Sequence, residues 1–121
     1  MTDHPPGFTI AVVDDDRRIL ESLKNLLESA DYGVRSFASA AALLESDCLA
    51  EIDCLISDID MPVMDGFELL RAAHAARPEL PVILITGYSD LDVLKEFNDL
   101  RIILKPFTED DLVNAIGAAL K

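Results

Sequence analysis

Short apolar runs rich in β-branched residues alternate with segments of helical period along this chain. That alternation constrains the fold more than any other feature. Thr9-Ile10-Ala11-Val12-Val13 is a continuous apolar run and reads as a strand buried on both faces. Val34 to Phe37, Cys54 to Ser57, Pro81 to Ile85 and Arg101 to Leu104 are four further strand candidates. Helical spacing follows each of them: Ile19, Leu20, Leu23, Leu26 and Leu27; Ala40 to Leu44; Phe67, Leu69, Leu70 and Ala73; Leu91, Leu94 and Phe97; and Leu112, Val113, Ile116 and Leu120. Asp16, Ser39, Ser89 with Asp92, and Thr108 with Asp111 stand where helix caps belong. Asp65-Gly66 reads as a turn signal with no chemistry of its own. Five strand–helix units in succession imply an α/β fold with parallel strands joined by right-handed crossovers.

The chain has 121 residues, which suits one domain. Residues 1–8, with His4, Pro5, Pro6 and Gly7, read as a short flexible lead-in, and residues 9–121 as the domain. Ten Lys and Arg against 23 Asp and Glu give a formal net charge of −13. That balance opposes direct nucleic-acid binding and docking on anionic lipid, and it favours basic partners or bound cations. No apolar run reaches membrane-spanning length and no signal stretch is present, so a cytoplasmic protein is expected. Cys48 and Cys54 form neither a metal motif nor a disulfide framework, and read as reduced thiols.

The polar residues fall at one end of the strands. The first ends at Asp14 and Asp15, the third at Asp58, the fourth at Thr86 and the fifth at Lys105. Carboxyl ends of parallel strands share one edge of the sheet, where open α/β sheets bind ligands. Three carboxylates in one pocket repel each other, and a divalent cation relieves that repulsion. Magnesium prefers such oxygen ligands, while a lysine and a hydroxyl suit a phosphoryl group. The set fits phosphoryl transfer, with one carboxylate able to serve as nucleophile and form an acyl phosphate.

Four blocks then resemble the signatures of response-regulator receiver domains: Val12-Val13-Asp14-Asp15-Asp16, the run from Ser57-Asp58-Ile59-Asp60 to Gly66-Phe67, Leu84-Ile85-Thr86-Gly87, and Leu104-Lys105-Pro106-Phe107. The resemblance runs from about Thr9 to Leu120. It implies a flavodoxin-like (βα)5 fold, a five-stranded parallel sheet in the order 2-1-3-4-5 flanked by helices. It implies that Asp58 is the phosphoacceptor, charged by a sensor histidine kinase, a phosphotransfer protein or a small phosphodonor. Asp15 would bind Mg2+ directly, Asp14 through water, and Asp60 through its backbone carbonyl. Thr86 and Lys105 would contact the phosphoryl group, Gly87 would leave room for the donor, and Pro106 would follow a cis peptide bond. Phosphorylation would move Thr86 and alter the surface of the fourth helix, fifth strand and fifth helix, with homodimerisation as one consequence. The chain would be a signalling switch that catalyses only its own phosphorylation and dephosphorylation.

One stretch and three single positions stand out against the family pattern. Only nineteen positions separate Thr86 from Lys105, a few fewer than expected, which shortens the fourth helix or its loops. Ile102 stands where many receivers carry an aromatic that turns inward with the threonine. Asp60 and Tyr88, each two residues after a site residue, influence acyl-phosphate lifetime in the family. Two other functions compete: a small phosphohydrolase like the haloacid dehalogenases, suggested by Asp58-Ile59-Asp60, and a pseudo-receiver that only binds proteins. Pro62 and the acidic pair preceding Asp58 oppose the first, and the presence of Asp15, Asp58 and Lys105 opposes the second. His74, on a predicted helix, is a weak candidate for a histidine phosphoacceptor. No helix-turn-helix or output enzyme is present. The chain is expected as a stand-alone receiver or as the amino-terminal receiver of a longer regulator.

Overall fold

The computed structural model describes residues 8–87, 101–105 and 107–120. Its strands are β1 (Thr9–Val13), β2 (Gly33–Phe37), β3 (Cys54–Asp58), β4 (Val82–Thr86) and β5 (Arg101–Leu104). Its helices are α1 (Arg17–Ser29), α2 (Ala40–Glu45), α3 (Gly66–Ala76) and a C-terminal helix (Glu109–Ala119), with a 3-10 turn at Cys48–Ala50. The strands form one sheet in the order β2-β1-β3-β4-β5, every pair parallel. This is the fold expected from the sequence. The fourth predicted helix, its Ser89–Asp92 cap, Tyr88, Pro106 and most of the lead-in lie outside the described residues. Phe8, placed in the lead-in by sequence, is tied to the sheet edge, its carbonyl accepting the Gly33 N–H at 2.9 Å.

Strand alternation sorts the core onto two faces. Ile10 and Val12 of β1, Cys54 and Ile56 of β3, and Ile83 and Ile85 of β4 pack with α1 and the C-terminal helix. Ala11, Val13, Leu55, Val82 and Leu84 pack on the other face, with Leu43 of α2 and Leu69, Leu70 and Ala73 of α3. Both cysteines are buried in these layers as small apolar groups. Burial on both faces is why β1, β3 and β4 read as unbroken apolar runs.

Helix starts follow the expected caps. Asp16 accepts from the Arg18 N–H and Ser39 from the Ala42 N–H, and Thr108 and Asp111 form a reciprocal capping box. Asp65 and Glu68 make a second capping box at the start of α3, so the Asp65-Gly66 pair opens a helix and is more than a turn.

Arg77, at the end of α3, donates from one guanidinium nitrogen to the carbonyls of Leu49 and Ile52, each at 2.6 Å. It fastens α3 to the segment that feeds β3. Arg77→Ala should lower stability by about 2 kcal/mol, measured by urea unfolding, because two charge-assisted bonds to backbone are lost. Lysine should restore it only in part, since its ammonium is more strongly hydrated and sits on a more flexible stem.

Candidate functional site

Each site residue is placed by the strand ladder. Asp14 follows β1 directly, its N–H donating to the Phe37 carbonyl at 3.1 Å. Asp58 is the last residue of β3, in register with Ile85, and the Ile59 N–H donates to the Ile85 carbonyl at 2.9 Å. Thr86 is the last residue of β4. The Lys105 N–H donates to the Thr86 carbonyl at 2.8 Å, so the ladder runs one residue past β5. Strands β3 and β4 thus each end one residue later than their apolar runs, because main-chain pairing is indifferent to side-chain polarity.

The two-residue period then decides which side chains meet. Asp14 continues the Ile10–Val12 row, Asp58 the Cys54–Ile56 row and Lys105 the Ile103 row, all on the face of α1 and the C-terminal helix. Lys105 Nζ stands 3.2 Å from Asp58 Oδ1 and 3.8 Å from Asp14 Oδ2. Carboxylate oxygens of Asp14, Asp15 and Asp58 lie within 4.8 Å of one another. Asp14 and Asp58 are 1% and 4% exposed, whereas Asp15 is open to solvent. The cluster is therefore a half-enclosed cup with its mouth at Asp15.

Burial is the main cause that pushes the Asp14 carboxyl up to about 6, against a backbone hydrogen bond from the Asp16 N–H that opposes it. Asp58 is also raised, first by burial, with Asp60 and Asp15 adding repulsion and Lys105 opposing. Lys105 contributes charge but little alignment: among the described residues, Asp14 Oδ2 and Asp58 Oδ1 accept no well-aligned hydrogen bond. Two buried carboxylate oxygens lacking such partners, facing a third carboxylate, suit a hard divalent cation such as Mg2+.

Thr86 follows the other row, that of Val82 and Leu84, which faces α3. Its buried hydroxyl lies 3.4 Å from Asp60 Oδ2, to which it donates. The sequence placed Thr86 in the phosphoryl pocket and did not anticipate this pairing. Ile102 is in register with Leu84 and half-buried in the α2–α3 layer. Gly87 is exposed, and a Cβ added there would meet nothing within 4 Å. Tyr88 is outside the described residues.

Gly66 is a site-supporting residue that sequence reading passed over. A Cβ there would lie 2.6 Å from the Asp58 carbonyl oxygen and 2.8 Å from Ile59 Cα. Its N–H donates to the Ile59 carbonyl at 3.0 Å. The sequence marked it only as a turn glycine and as the end of the Asp58 to Gly66 signature block. His74 lies on α3 and donates from Nε2 to the Leu80 carbonyl at 2.9 Å, a structural tie remote from the acidic cup.

Comparison with known proteins agrees with this architecture. The model of the response regulator receiver domain matches residues 10–117. The transcriptional regulatory protein FixJ of Bradyrhizobium diazoefficiens is 36% identical over 115 residues, covering 93% of this chain and 56% of that protein. The C4-dicarboxylate transport transcriptional regulatory protein DctD of Rhizobium meliloti is 38% identical over 114 residues, 92% of this chain and 25% of that protein. The chain thus spans about half the length, or less, of these relatives. A solved receiver domain protein from Clostridium thermocellum matches with a TM-score of 0.83 and 33% identity, covering 93% of this chain and 94% of that one. No described helix is long and apolar enough to cross a membrane. With five parallel strands in this order, the acidic cup at their carboxyl edge, and a family match over nearly the whole chain, this protein belongs to the response regulator receiver domains of two-component signalling.

Proposed function

We propose that Asp58 is the phosphoacceptor of this receiver and that phosphorylation there is its signalling event. The observation that carries this reading is the Asp14–Asp15–Asp58 cluster with Lys105 Nζ 3.2 Å from Asp58 Oδ1. A carboxylate oxygen of Asp58 forms the new bond to phosphorus as the P–N bond of a donor phosphohistidine breaks and its electron pair returns to the imidazole. Lys105 then pairs with the phosphoryl oxygens, a charge-assisted contact stronger than its present one. Asp14, Asp15, Asp58 and the Asp60 backbone carbonyl would hold Mg2+, which would neutralise phosphoryl and carboxylate charge. The chain's own chemistry is confined to gaining and losing this group. Its partners are a sensor histidine kinase or a phosphotransfer protein, with a second copy of the chain after phosphorylation. The phosphoryl group adds roughly −1.5 to −2 charge, which biases the Thr86 end of β4 and the surface beyond it. In this reading the protein works in the cytoplasm.

The test is intact mass after incubation with Mg2+ and acetyl phosphate. One added phosphoryl group, about 80 Da (PO₃H), is expected, and it should vanish with Asp58→Ala or without Mg2+. Steady release of phosphate with no adduct would instead support hydrolytic turnover. Neither adduct nor release would support a receiver that acts by protein binding alone.

A further inference from the structure

The Thr86 hydroxyl donates to Asp60 Oδ2 at 3.4 Å, on the α3 side of the sheet. Asp14, Asp58 and Lys105 continue strand rows on the opposite side. We propose that the Asp60 side chain is a positioning residue: it latches the Thr86 hydroxyl in the unphosphorylated protein and competes with the phosphoryl group for it. The inference rests on Asp58 being the phosphoacceptor and goes beyond it, because it assigns a built-in opponent to the switch.

Three features make the latch credible as a device. First, both partners are held by their backbones. Asp60 is bracketed by buried Ile59 and Met61, and the Met61 N–H donates to the Ile59 carbonyl at 3.1 Å. Thr86 is buried in β4 with its carbonyl engaged by the Lys105 N–H. Second, the competitors are alike in kind. A carboxylate oxygen and a phosphoryl oxygen are both anionic acceptors, and one threonine hydroxyl has a single proton to donate. Third, Asp60 itself is exposed, so its carboxylate can exchange the hydroxyl for water at low cost. An anionic acceptor buried on that side would lock the switch, whereas a solvated one only weights it. The latch therefore lowers the population of the switched state before phosphorylation and raises the threshold for it.

The experiment is a double-mutant cycle read by beryllofluoride binding in saturating Mg2+, followed by NMR. Asp60→Ala changes the side chain alone and leaves the backbone carbonyl in place. In the parent background it should tighten beryllofluoride binding about fivefold, the worth of a partly solvated hydrogen bond to a charged acceptor. In the Thr86→Val background the same substitution should tighten it much less, because no hydroxyl remains to be latched. Equal effects in both backgrounds would show that Asp60 acts only through charge repulsion, and would overturn the latch while leaving the receiver chemistry intact. A parent protein that neither binds beryllofluoride nor gains phosphoryl mass would overturn both. A second readout is independent of any phosphoryl mimic. Three-bond couplings at Thr86 in the Mg2+-free protein should report one side-chain rotamer, and rotamer averaging after Asp60→Ala. Asp60→Asn, which keeps an oxygen acceptor, should restore most of the single rotamer. The same Thr86 rotamer in all three proteins would overturn the proposal.

Discussion

Gly66→Ala is expected to destabilise the protein by about 3 kcal/mol or more, with the urea midpoint falling and the slope unchanged. The added methyl would sit 2.6 Å from the Asp58 carbonyl oxygen and 2.8 Å from Ile59 Cα. Both are main-chain atoms in the sheet or at its edge, so neither can swing aside as a flexible side chain would. Relief requires α3 to retreat from the end of β3. That retreat would lengthen the 3.0 Å bond from the Gly66 N–H to the Ile59 carbonyl and disturb the Asp65–Glu68 capping box. It would also shift Asp58 itself. Variant protein that remains folded should therefore bind Mg2+ more weakly than the parent. A variant of parental stability and parental Mg2+ affinity would refute this account of the β3–α3 junction.

The second large effect is an inverted pH dependence of stability in the absence of metal. Burial raises the Asp14 carboxyl from 3.8 to about 6. Between those values the folded protein holds a proton that the unfolded chain has released. Stability then falls as pH rises from about 4 to about 6, and the loss is complete above the folded value. A shift of this size corresponds to about 3 kcal/mol. Asp58 is raised as well and adds in the same direction. In EDTA the protein should thus be more stable near pH 5 than near pH 7, by about 1 kcal/mol from Asp14 alone, with Asp58 adding to it. Saturating Mg2+ should flatten or reverse that trend, because a cation stabilises the ionised carboxylates and not the protonated ones. Urea unfolding at both pH values, with EDTA and with Mg2+, measures all four corners. Stability that rises from pH 5 to pH 7 in EDTA would show that Lys105 already neutralises the cup.

The cup concentrates acidic groups at the carboxyl edge of the sheet at the expense of stability. Lys105, 3.2 Å from Asp58 and 3.8 Å from Asp14, is the one cation of the ion pairs found there among the described residues. One ammonium cannot balance three carboxylates. The remaining imbalance is what a divalent cation would remove and what a phosphoryl group would re-create.

Much of this was legible in the residues. The β-branched runs located all five strands, and the caps at Asp16, Ser39 and Thr108 located three helix starts. The polar residues at the strand ends identified the site, because an apolar run that stops on an acid leaves the acid at the sheet edge. Other features were illegible for physical reasons. Gly66 read as a signature and turn glycine, but its close contact was illegible, since that necessity comes from the main chain of another element. The capping role of Asp65 was readable from Glu68 three residues later, but Asp-Gly is the stronger local cue for a turn. The Thr86–Asp60 pairing joins the last residue of β4 to the loop after β3, and no local pattern reports it.

The boundary between the two kinds of information follows from the range of the forces. Strand period is local: it assigns Asp14, Asp58 and Lys105 to one face of their strands and Thr86 to the other, and any reader of the chain can count it. Helix caps are local for the same reason, since donor and acceptor lie within one turn. Whether Asp14 and Lys105, ninety-one positions apart, come within 4 Å depends on strand order. That order places β3 beside β1, and β4 between β3 and β5. It is set by how α1 and the C-terminal helix cover one face while α2 and α3 cover the other. The sequence by itself determined the ingredients of the site and their faces. Only the packed sheet decided their distances, because burial of both faces is a property of the whole domain.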